Sequence, residues 1–480
     1  LGTKYLVGST FAINWIALLA PLYEAAGYVL NTLCSQAIGA KNPKLAGVWL
    51  QLGLAASFVV AVPVVLLFLA TGAITSLSIA DPEVSRLAQI FAYFGIAIMI
   101  PRNLYLNLSE FLQAAQIVGP AVYVSTGTVL LNLAFNALLV QGPLAIGYAG
   151  CPLSTLLSTS FKFGSFFSFC ILYKKYHRPY WGGWTLDSFE KDRIRRFMAL
   201  LVPTAVSNFL ETSGYVLMSF FVGRVGKWNV AGLEVTEILM GFLFTFYWGI
   251  GMGIQVRIGT FLGAGDVPAA KRVLHAAVLV TLPLLSAMCL GLYFFRRGIA
   301  KLFTIDEQVM DVIDQATLPM IVNFWTGVMV LAAMNVLQAM GRQRIVAIIV
   351  GVAMWTLQLP PALYFAYYVP LFREYPVNGL WYGQTVGEGL KMVVLWIIIA
   401  RTDWQQMAKE AQIRSEAEGS DERTFQVPDV EAPTTPVSSP QAAVRTLARC
   451  AAPAVATSAA GSGEGEGAPA ASVPLLHRGE

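Results

Sequence analysis

Apolar segments of similar length follow one another along residues 1–400, and shorter polar segments separate them. An α-helix needs roughly 20 apolar residues to cross the hydrocarbon core of a bilayer. Eleven segments reach that length, near residues 10–34, 47–73, 88–114, 121–140, 149–173, 198–222, 231–256, 273–294, 315–338, 345–369 and 379–400. The pattern predicts an all-α polytopic membrane protein.

The composition agrees with a membrane protein and sets apart a polar C-terminal region. Apolar residues make up 56% of the chain and charged residues 12%, against about 25% charged in soluble domains. The region 401–480 holds 7 Lys and Arg and 11 Asp and Glu, so 25 of the 32 basic and 17 of the 28 acidic side chains precede it. The net charge of +4 therefore averages two unlike regions and gives no reason to expect nucleic-acid binding.

The longest internal polar segment, residues 174–197, divides the apolar segments into five and six. We predict an N-terminal lobe at 1–173, a linker at 174–197, a C-terminal lobe at 198–404 and a disordered tail at 405–480. With the loop after the first segment in the cytosol, thirteen basic residues fall in inner loops and eight in outer segments. The positive-inside rule then places the linker and the C-terminus in the cytosol.

The two halves of the chain resemble each other at a nearly constant offset. Gly39 and Ala40 correspond to Gly263 and Ala264 at an offset of 224, and NALL at 136–139 corresponds loosely to PALY at 361–364. Duplicated halves are typical of secondary transporters. The same offset places the partner of segment 198–222 before residue 1, which is Leu rather than Met. We therefore expect two pseudo-symmetric six-helix bundles, with the first helix missing from this sequence and about eleven spans present.

Four segments match a known family of membrane proteins. LNTLCSQAIGAKN at 30–42 is similar to LDTLCGQAYGAK, and VRIGTFLGAGD at 256–266 is similar to VRVGNALGAGD. FLQAAQIVGP at 111–120 and the run from 379 to 404, which ends in RTDW, are similar to further segments of the same family. The chain thus resembles the multidrug and toxic compound extrusion (MATE) transporters in their eukaryotic form.

The resemblance implies two helical lobes around a central cavity that opens alternately to the two sides of the membrane. It implies secondary antiport, in which organic cations, xenobiotics or secondary metabolites leave as protons or sodium ions enter. We expect a small organic cation or amphiphile as the partner, no cofactor, a monomeric protein, and the plasma membrane or a vacuolar or other organelle membrane as its location.

Ionisable residues within apolar segments are costly in hydrocarbon and are often functional. Glu211 lies in the middle of segment 198–222, eight residues after Pro203, and the family has an acidic residue at that distance from its proline. A carboxyl in an apolar cavity can take up a proton and release it when a cation arrives, because desolvation disfavours the charged form. Glu211 is therefore a predicted coupling-ion residue. The alternative is a carboxyl that only hydrogen-bonds a neighbouring helix.

Four further ionisable residues form two pairs at helical spacing. Glu234 and Glu237 share one helix face, and Glu237, the deeper of the two, is the second predicted coupling-ion residue. Glu388 and Lys391 are also three residues apart, and we expect them to neutralise each other as a structural pair.

Four positions depart from the family pattern. Asn31 stands where the family's LDT segment has Asp, and the stretch around Gly327, in which many members carry an acid, has none in this chain. Glu24 and Glu110 occupy positions at which other residue types are usual; each is either an additional cavity acid or a partner of Lys162. The amide at position 31 and the missing acid near Gly327 shift the predicted coupling role onto Glu211 and Glu237.

Polar and aromatic side chains complete the predicted substrate cavity. The set consists of Asn31, Gln36, Gln51, Gln113, Tyr215, Trp325 and Asn335. Aromatic faces attract organic cations. Packing in the core is the alternative reading for each aromatic residue.

Three other classes of protein are weighed against a transporter of organic cations. The chain has three histidines and lacks the HExxH, GxSxG, GxxxxGK[ST] and CxxC motifs, which argues against a metal site and a membrane enzyme. Eleven spans with a repeat fit neither a seven-helix receptor nor a filter-lined channel. A lipid or oligosaccharide flippase of the same superfamily is the main alternative, although it is expected to have more basic residues within its spans.

Overall fold

The computed structural model describes residues 3–78, 81–142, 144–222 and 226–416, which fold into fourteen α-helices. These helices are α1 (Thr3–Gly39), α2 (Pro43–Leu69), α3 (Thr71–Ser78), α4 (Pro82–Ala114), α5 (Gly119–Asn136), α6 (Gly150–Phe167), α7 (Lys191–Val222), α8 (Lys227–Gly263), α9 (Val267–Ala300), α10 (Glu307–Ala339), α11 (Gln343–Val352), α12 (Leu359–Tyr368), α13 (Pro376–Arg401) and α14 (Trp404–Glu416). Short π-helical segments extend α5 and α6 and join α11 to α12.

Ten helical segments in the described residues are long and apolar enough to cross a membrane, and they coincide with ten of the eleven predicted spans. The remaining prediction, 198–222, is the 32-residue helix α7. Asn208 and Glu211 interrupt its apolar sequence, and α7 is not among those ten. The all-helical polytopic architecture predicted from the sequence is confirmed.

Helix boundaries repeat between the two halves of the chain. The ends of α1 and α8 and the starts of α2 and α9 share an offset of 224, and both ends of α4 and α10 share an offset of 225. The turns after α1 and α8 place Lys41 and Gly265 in the left-handed backbone region, with φ of 60° and 77°. The repeat predicted from short sequence matches therefore extends to the position of whole helices and to the conformation of individual turn residues.

The two lobes meet where α1 crosses α8, with main chain packed against main chain. A Cβ atom added to Gly39 would lie 2.0 Å from the carbonyl oxygen of Thr260, and one added to Gly263 would lie 2.1 Å from that of Gln36. Because glycine has no Cβ, it permits this approach. Hydrogen bonds from Gln36 Nε2 to Ala339 O (2.7 Å) and from Gln255 Nε2 to Thr32 Oγ1 (2.9 Å) hold the same contact. The lobe interface is therefore closed at the end where α1 and α8 terminate.

The predicted linker contains the start of α7 and a loop that packs on α2. α7 begins at Lys191, so the last residues of the predicted linker are helical, because the span extends into polar sequence beyond the apolar segment. The preceding loop is fixed by Lys44 Nζ, which donates to Trp181 O, and by Gln51 Nε2, which donates to Gly183 O at 2.7 Å. The loop is therefore attached to α2.

The prediction of a disordered tail from residue 405 is wrong at its start, because residues 404–416 form α14. Its buried face consists of Trp404, Met407, Ala408 and Ala411. This i, i+3, i+4, i+7 spacing is typical of an amphipathic helix. Low overall hydrophobicity concealed the spacing in the sequence. The rest of the predicted tail lies outside the described residues.

α14 contacts both lobes at the closed end. Asn42 Nδ2, after α1, donates to Ser415 O at 3.1 Å, and Arg414 donates to Met340 O, after α10, also at 3.1 Å. Burial lowers the pKa of Arg414 to about 10, so this guanidinium stays charged near neutral pH. α14 thus connects the two lobes by side-chain hydrogen bonds to their backbones.

We predict that Gly263→Ala opens the α1–α8 contact. The added methyl group has no room beside Gln36 O, and overpacking costs roughly 1 to 3 kcal/mol, which is about a fivefold to hundredfold change in an equilibrium. Thiol labelling of Ser35→Cys, in a background without native cysteines, should accelerate by about tenfold. Gly253→Ala is the matched control, because no heavy atom lies within 4 Å of its Cβ position. Equal labelling rates in the two alanine variants would show that the contact does not depend on close packing.

Candidate functional site

A buried lysine joins two carboxyl groups within the C-terminal lobe. Lys391 Nζ on α13 lies 2.9 Å from Glu388 Oε1 and 3.3 Å from Glu211 Oε1 on α7. The side chain of Lys391 is 0% exposed and that of Glu388 is 6% exposed, whereas that of Glu211 is 25% exposed. The predicted Glu388–Lys391 pair is therefore present, and Glu211 joins it from a helix that is distant in sequence. Of the three groups, Glu211 is the most exposed.

Tyr215 and Glu237 border this cluster. Tyr215 lies one turn after Glu211 on α7, is 39% exposed, and interacts electrostatically with Glu211, Glu237 and Glu388. Glu237 on α8 is exposed, and its carboxylate is repelled by the like charge of Glu234, three residues earlier. The structure thus brings both predicted coupling residues and one predicted cavity residue to the same region of the C-terminal lobe.

The charged residues of the N-terminal lobe pair differently from the prediction. Arg102 Nε on α4 lies 2.5 Å from Glu24 Oε1 on α1. Lys162 on α6, the suggested partner of Glu24 or Glu110, instead places its ammonium 4.1 Å from the centre of the Tyr105 ring. Sequence reasoning did not single out Arg102, although it is a basic residue inside the apolar segment 88–114. A basic residue within an apolar segment is the sequence signal that identifies Arg102 as a candidate.

Asn31 and Glu110 form a buried pair in the N-terminal lobe. Asn31 Nδ2 donates to Glu110 Oε2 at 2.9 Å and also lies 3.7 Å from Met252 Sδ on α8. Asn31 is 0% exposed and Glu110 is 5% exposed. The amide that replaces the family's Asp is therefore in direct contact with a carboxyl on a different helix.

Two of the other predicted cavity residues belong to interfaces between elements. Gln36 is buried in the closed contact between the lobes, and Gln51 holds the loop after α6. Gln113 is half-buried and donates to Ser109 Oγ one turn earlier on α4, at 3.0 Å. None of these three contacts the cluster around Lys391 in the described part of the chain.

Trp325 and Asn335 both lie on α10. Trp325 lines an apolar groove with Met329 and Trp396, between α9, α10 and α13. Asn335 is buried against Gly251 of α8 and donates to Leu331 O on its own helix, at 2.8 Å. The packing of Trp325 in this groove is the alternative given for the aromatic residues, and the cavity role of Asn335 stays a prediction.

The described residues contain no group of three or more His, Cys, Asp or Glu side chains that could hold a metal ion. The chemistry available in the C-terminal lobe is that of carboxyl groups beside one ammonium group. Lys391 neutralises one of its two carboxylate partners, so one negative charge remains when all three groups are ionised. The site can therefore accept one proton or one cation.

A family model described as MatE matches residues 1–138 and 203–364, more than half of the chain. The chain belongs to the MatE family. MATE proteins are transporters, which confirms the prediction of a transporter rather than an enzyme. The chain is an integral, multi-pass membrane protein of this family.

Curated relatives of the chain include animal and plant transporters. It is 28% identical over 406 residues to "Multidrug and toxin extrusion protein 1" of Oryctolagus cuniculus, and the alignment covers 83% of this chain and 70% of that protein. It is 27% identical over 393 residues to "Protein DETOXIFICATION 49" of Arabidopsis thaliana, which covers 80% of this chain and 76% of that protein. The predicted similarity to eukaryotic MATE transporters is confirmed.

Solved structures of MATE transporters share the fold. The crystal structure of the eukaryotic MATE transporter AtDTX14 superposes with a TM-score of 0.78 at 22% identity, over 86% of this chain and 92% of that one. The Vibrio cholerae MATE transporter VcmN in the bent form superposes with a TM-score of 0.71 at 17% identity, over 86% and 91% of the two chains. At these identities, the structures establish the architecture.

We predict that Lys391→Met destabilises the protein. Removing the ammonium leaves Glu211 and Glu388 without a counter-charge, and breaking a buried ion pair costs roughly 3 to 5 kcal/mol. Thermal unfolding in detergent should show a lowered midpoint for this variant. The double variant Glu388→Gln/Lys391→Met, which removes charges of both signs, should recover part of the loss.

Lys409→Met is the matched control for this prediction, because Lys409 is exposed on α14. Its unfolding midpoint should equal that of the unmodified protein, since exposed charges contribute little to stability. The ion-paired cluster would be contradicted if Lys391→Met unfolded at the same temperature as this control.

Proposed function

We propose that the protein is a secondary antiporter that exports organic cations in exchange for entering protons, with sodium as the alternative coupling ion. The observation that carries the proposal is the uncompensated negative charge at Glu211, Glu388 and Lys391 in a chain of the MatE family. One bound proton neutralises this cluster, and so does one bound monovalent cation. Because the cluster has one uncompensated negative charge, it binds only one of the two ligands at a time. Such mutually exclusive binding is the requirement for antiport.

Glu211 is the residue that exchanges ligands. Glu388 and Lys391 are buried and lie three residues apart on one helix, so their pairing persists when the ligand changes. Glu211 contacts the same ammonium at the longer distance of 3.3 Å, and a quarter of its side chain is exposed. If the Glu211 side chain turned away from Lys391, the Glu211 carboxylate would be free to bind a proton or a substrate cation. The exposed ring of Tyr215 supplies an aromatic face for the cation.

The closed contact between α1 and α8 defines the state of the transporter. By the positive-inside rule, the loop between α1 and α2 and the helix α14 lie on the cytosolic side. The closed end of the lobe interface is then the cytosolic end, so this state takes up protons from the opposite side of the membrane. Opening of the α1–α8 contact would admit substrate from the cytosol, with the ion gradient as the only energy source.

The basic residues within the spans argue against a phosphate-bearing lipid or oligosaccharide as the cargo. Lys391 is bound by two carboxylates, Arg102 by Glu24, and Lys162 lies over an aromatic ring. A cavity for phosphate needs cationic groups that are available to the ligand. Organic cations and neutral amphiphiles remain the favoured substrates, and a monomer provides all the residues named here.

We predict that Glu211→Gln strongly lowers uptake driven by a pH gradient. The protein is reconstituted in vesicles, and accumulation of a fluorescent organic cation is followed under an imposed proton gradient and, separately, under a sodium gradient. The glutamine cannot exchange protons, so gradient-driven uptake should fall by about tenfold or more. Glu237→Gln tests whether the second carboxyl contributes to the same coupling.

Glu307→Gln is the control, because Glu307 is an exposed carboxyl in the first turn of α10, a helix that contributes no residue to the carboxyl cluster. Its uptake should equal that of the unmodified protein. Absence of uptake by the unmodified protein under both gradients would contradict the antiporter assignment. Unchanged coupling in Glu211→Gln would instead contradict only the role of Glu211.

A further inference from the structure

Glu110 is a buried carboxyl in the N-terminal lobe, and its hydrogen-bond partner is an amide. It is 5% exposed and accepts a hydrogen bond from Asn31 Nδ2 at 2.9 Å. The other polar atom of that amide, Asn31 Oδ1, is buried and has no hydrogen-bond partner in the described residues. An unsatisfied buried oxygen is costly, and a proton on Glu110 would give it a donor within reach.

The described helices packed against α4 bring no free cation to Glu110. Arg102 on α4 is bound to Glu24 of α1, and Lys162 on α6 lies over the Tyr105 ring. Lys44 on α2 donates to a carbonyl of the loop after α6, and α3 has no charged residue. In the described part of the chain, the phenols of Tyr28 and Tyr105 also interact electrostatically with Glu110, and a phenol is neutral near pH 7.

Burial without a counter-charge therefore favours the neutral, protonated form of Glu110. A buried ionised carboxylate needs either a cation or several hydrogen bonds, and such a group otherwise takes up a proton. Among the described residues, this carboxyl has one amide donor and no cation as partners. Glu110 is thus suited to gain and lose a proton as its exposure to water changes.

The internal repeat supplies a comparison for this pair within the same chain. At offsets of 224 and 225, Asn31 corresponds to Gln255 and Glu110 corresponds to Asn335. The Asn335 side-chain amide donates a hydrogen bond to Leu331 O on its own helix. An amide does not titrate. A carboxyl at this position is therefore not required for the packing of the repeat. The N-terminal half holds an acid where the C-terminal half holds a neutral amide.

Asn31 also reaches the opposite lobe. Its Nδ2 lies 3.7 Å from Met252 Sδ on α8, and the next residue, Thr32, accepts a hydrogen bond from Gln255 of the same helix. The Asn31–Glu110 pair thus lies at the edge of the closed contact between the lobes. A change in the orientation of this amide would alter a contact that exists only when the lobes are together.

We propose that Glu110 is a second proton-binding residue of the transporter and that Asn31 reports its protonation to the lobe interface. With Glu110 ionised, its carboxylate accepts from Asn31 Nδ2. With Glu110 protonated, its O–H donates to Asn31 Oδ1, the amide turns over, and Nδ2 faces away from the carboxyl. Asn31 acts as a positioning residue, since the proton itself resides on Glu110. This role rests on the proposed antiport function and adds a coupling residue in the N-terminal lobe.

The test exchanges the amide and the carboxyl within the pair. Uptake of a fluorescent organic cation is measured as a function of pH in vesicles containing Glu110→Gln, Asn31→Asp or the double variant Asn31→Asp/Glu110→Gln. Glu110→Gln should lower uptake driven by the pH gradient by roughly tenfold. Exchange of labelled for unlabelled substrate without a gradient should continue. The double variant restores one carboxyl and one amide at the same contact, so it should recover gradient-driven uptake with a shifted pH profile.

Glu83→Gln is the control, because Glu83 is an exposed carboxyl near the start of α4, paired with Lys4. Its pH profile should match that of the unmodified protein. If Glu110→Gln does not fold, the double variant gives the same test, since it keeps the hydrogen-bonded pair. A coupled unmodified protein whose pH profile is unaffected by Glu110→Gln would overturn this inference while leaving the antiport function intact. Failure of the double variant to recover coupling would overturn it as well.

Discussion

The cost of burying a carboxyl group in an apolar environment is the constraint on which the rest of this protein depends. Within the membrane body, Glu24 is paired with an arginine, Glu388 and Glu211 share one lysine, and Glu110 faces an amide. Only the first arrangement balances its charges completely. The other two leave a group that a proton or a cation can satisfy, because isolated charges in low dielectric are unfavourable. In the proposed function, this charge imbalance, rather than any single residue, favours the binding of positive ligands.

The two halves of the fold distribute this imbalance unequally. Helix boundaries repeat at offsets of 224 and 225, and the turns after α1 and α8 each contain a residue in the left-handed backbone region. The chemistry does not repeat in the same way: the equivalent of Glu110 is Asn335, and the lysine-centred cluster includes α7. In the proposed mechanism, one lobe exchanges ligands at the cluster around Lys391, and the other lobe places an acid at the contact between the lobes.

The sequence determines the framework far better than the side-chain pairings. Length and hydropathy predict the spans, because bilayer thickness fixes the length of each helix. The i, i+3 spacing correctly predicts the contact between Glu388 and Lys391. No local pattern brings Glu211 to Lys391 from a different helix, and an evenly apolar helix does not reveal that Gln51 faces a loop or that Trp325 lies in an apolar groove. The helix α14 was missed because its apolar face is narrow within a polar composition.

Proton release on substrate binding tests the central claim most directly. Purified protein in weakly buffered detergent solution is mixed with a monovalent organic cation, and the change in pH is recorded together with the amount of cation bound. The single uncompensated charge around Lys391 predicts that each bound cation displaces close to one proton when the site is protonated beforehand. Stoichiometric cation binding with no proton release at acidic, neutral and alkaline pH would contradict competition between the two ligands for one buried charge.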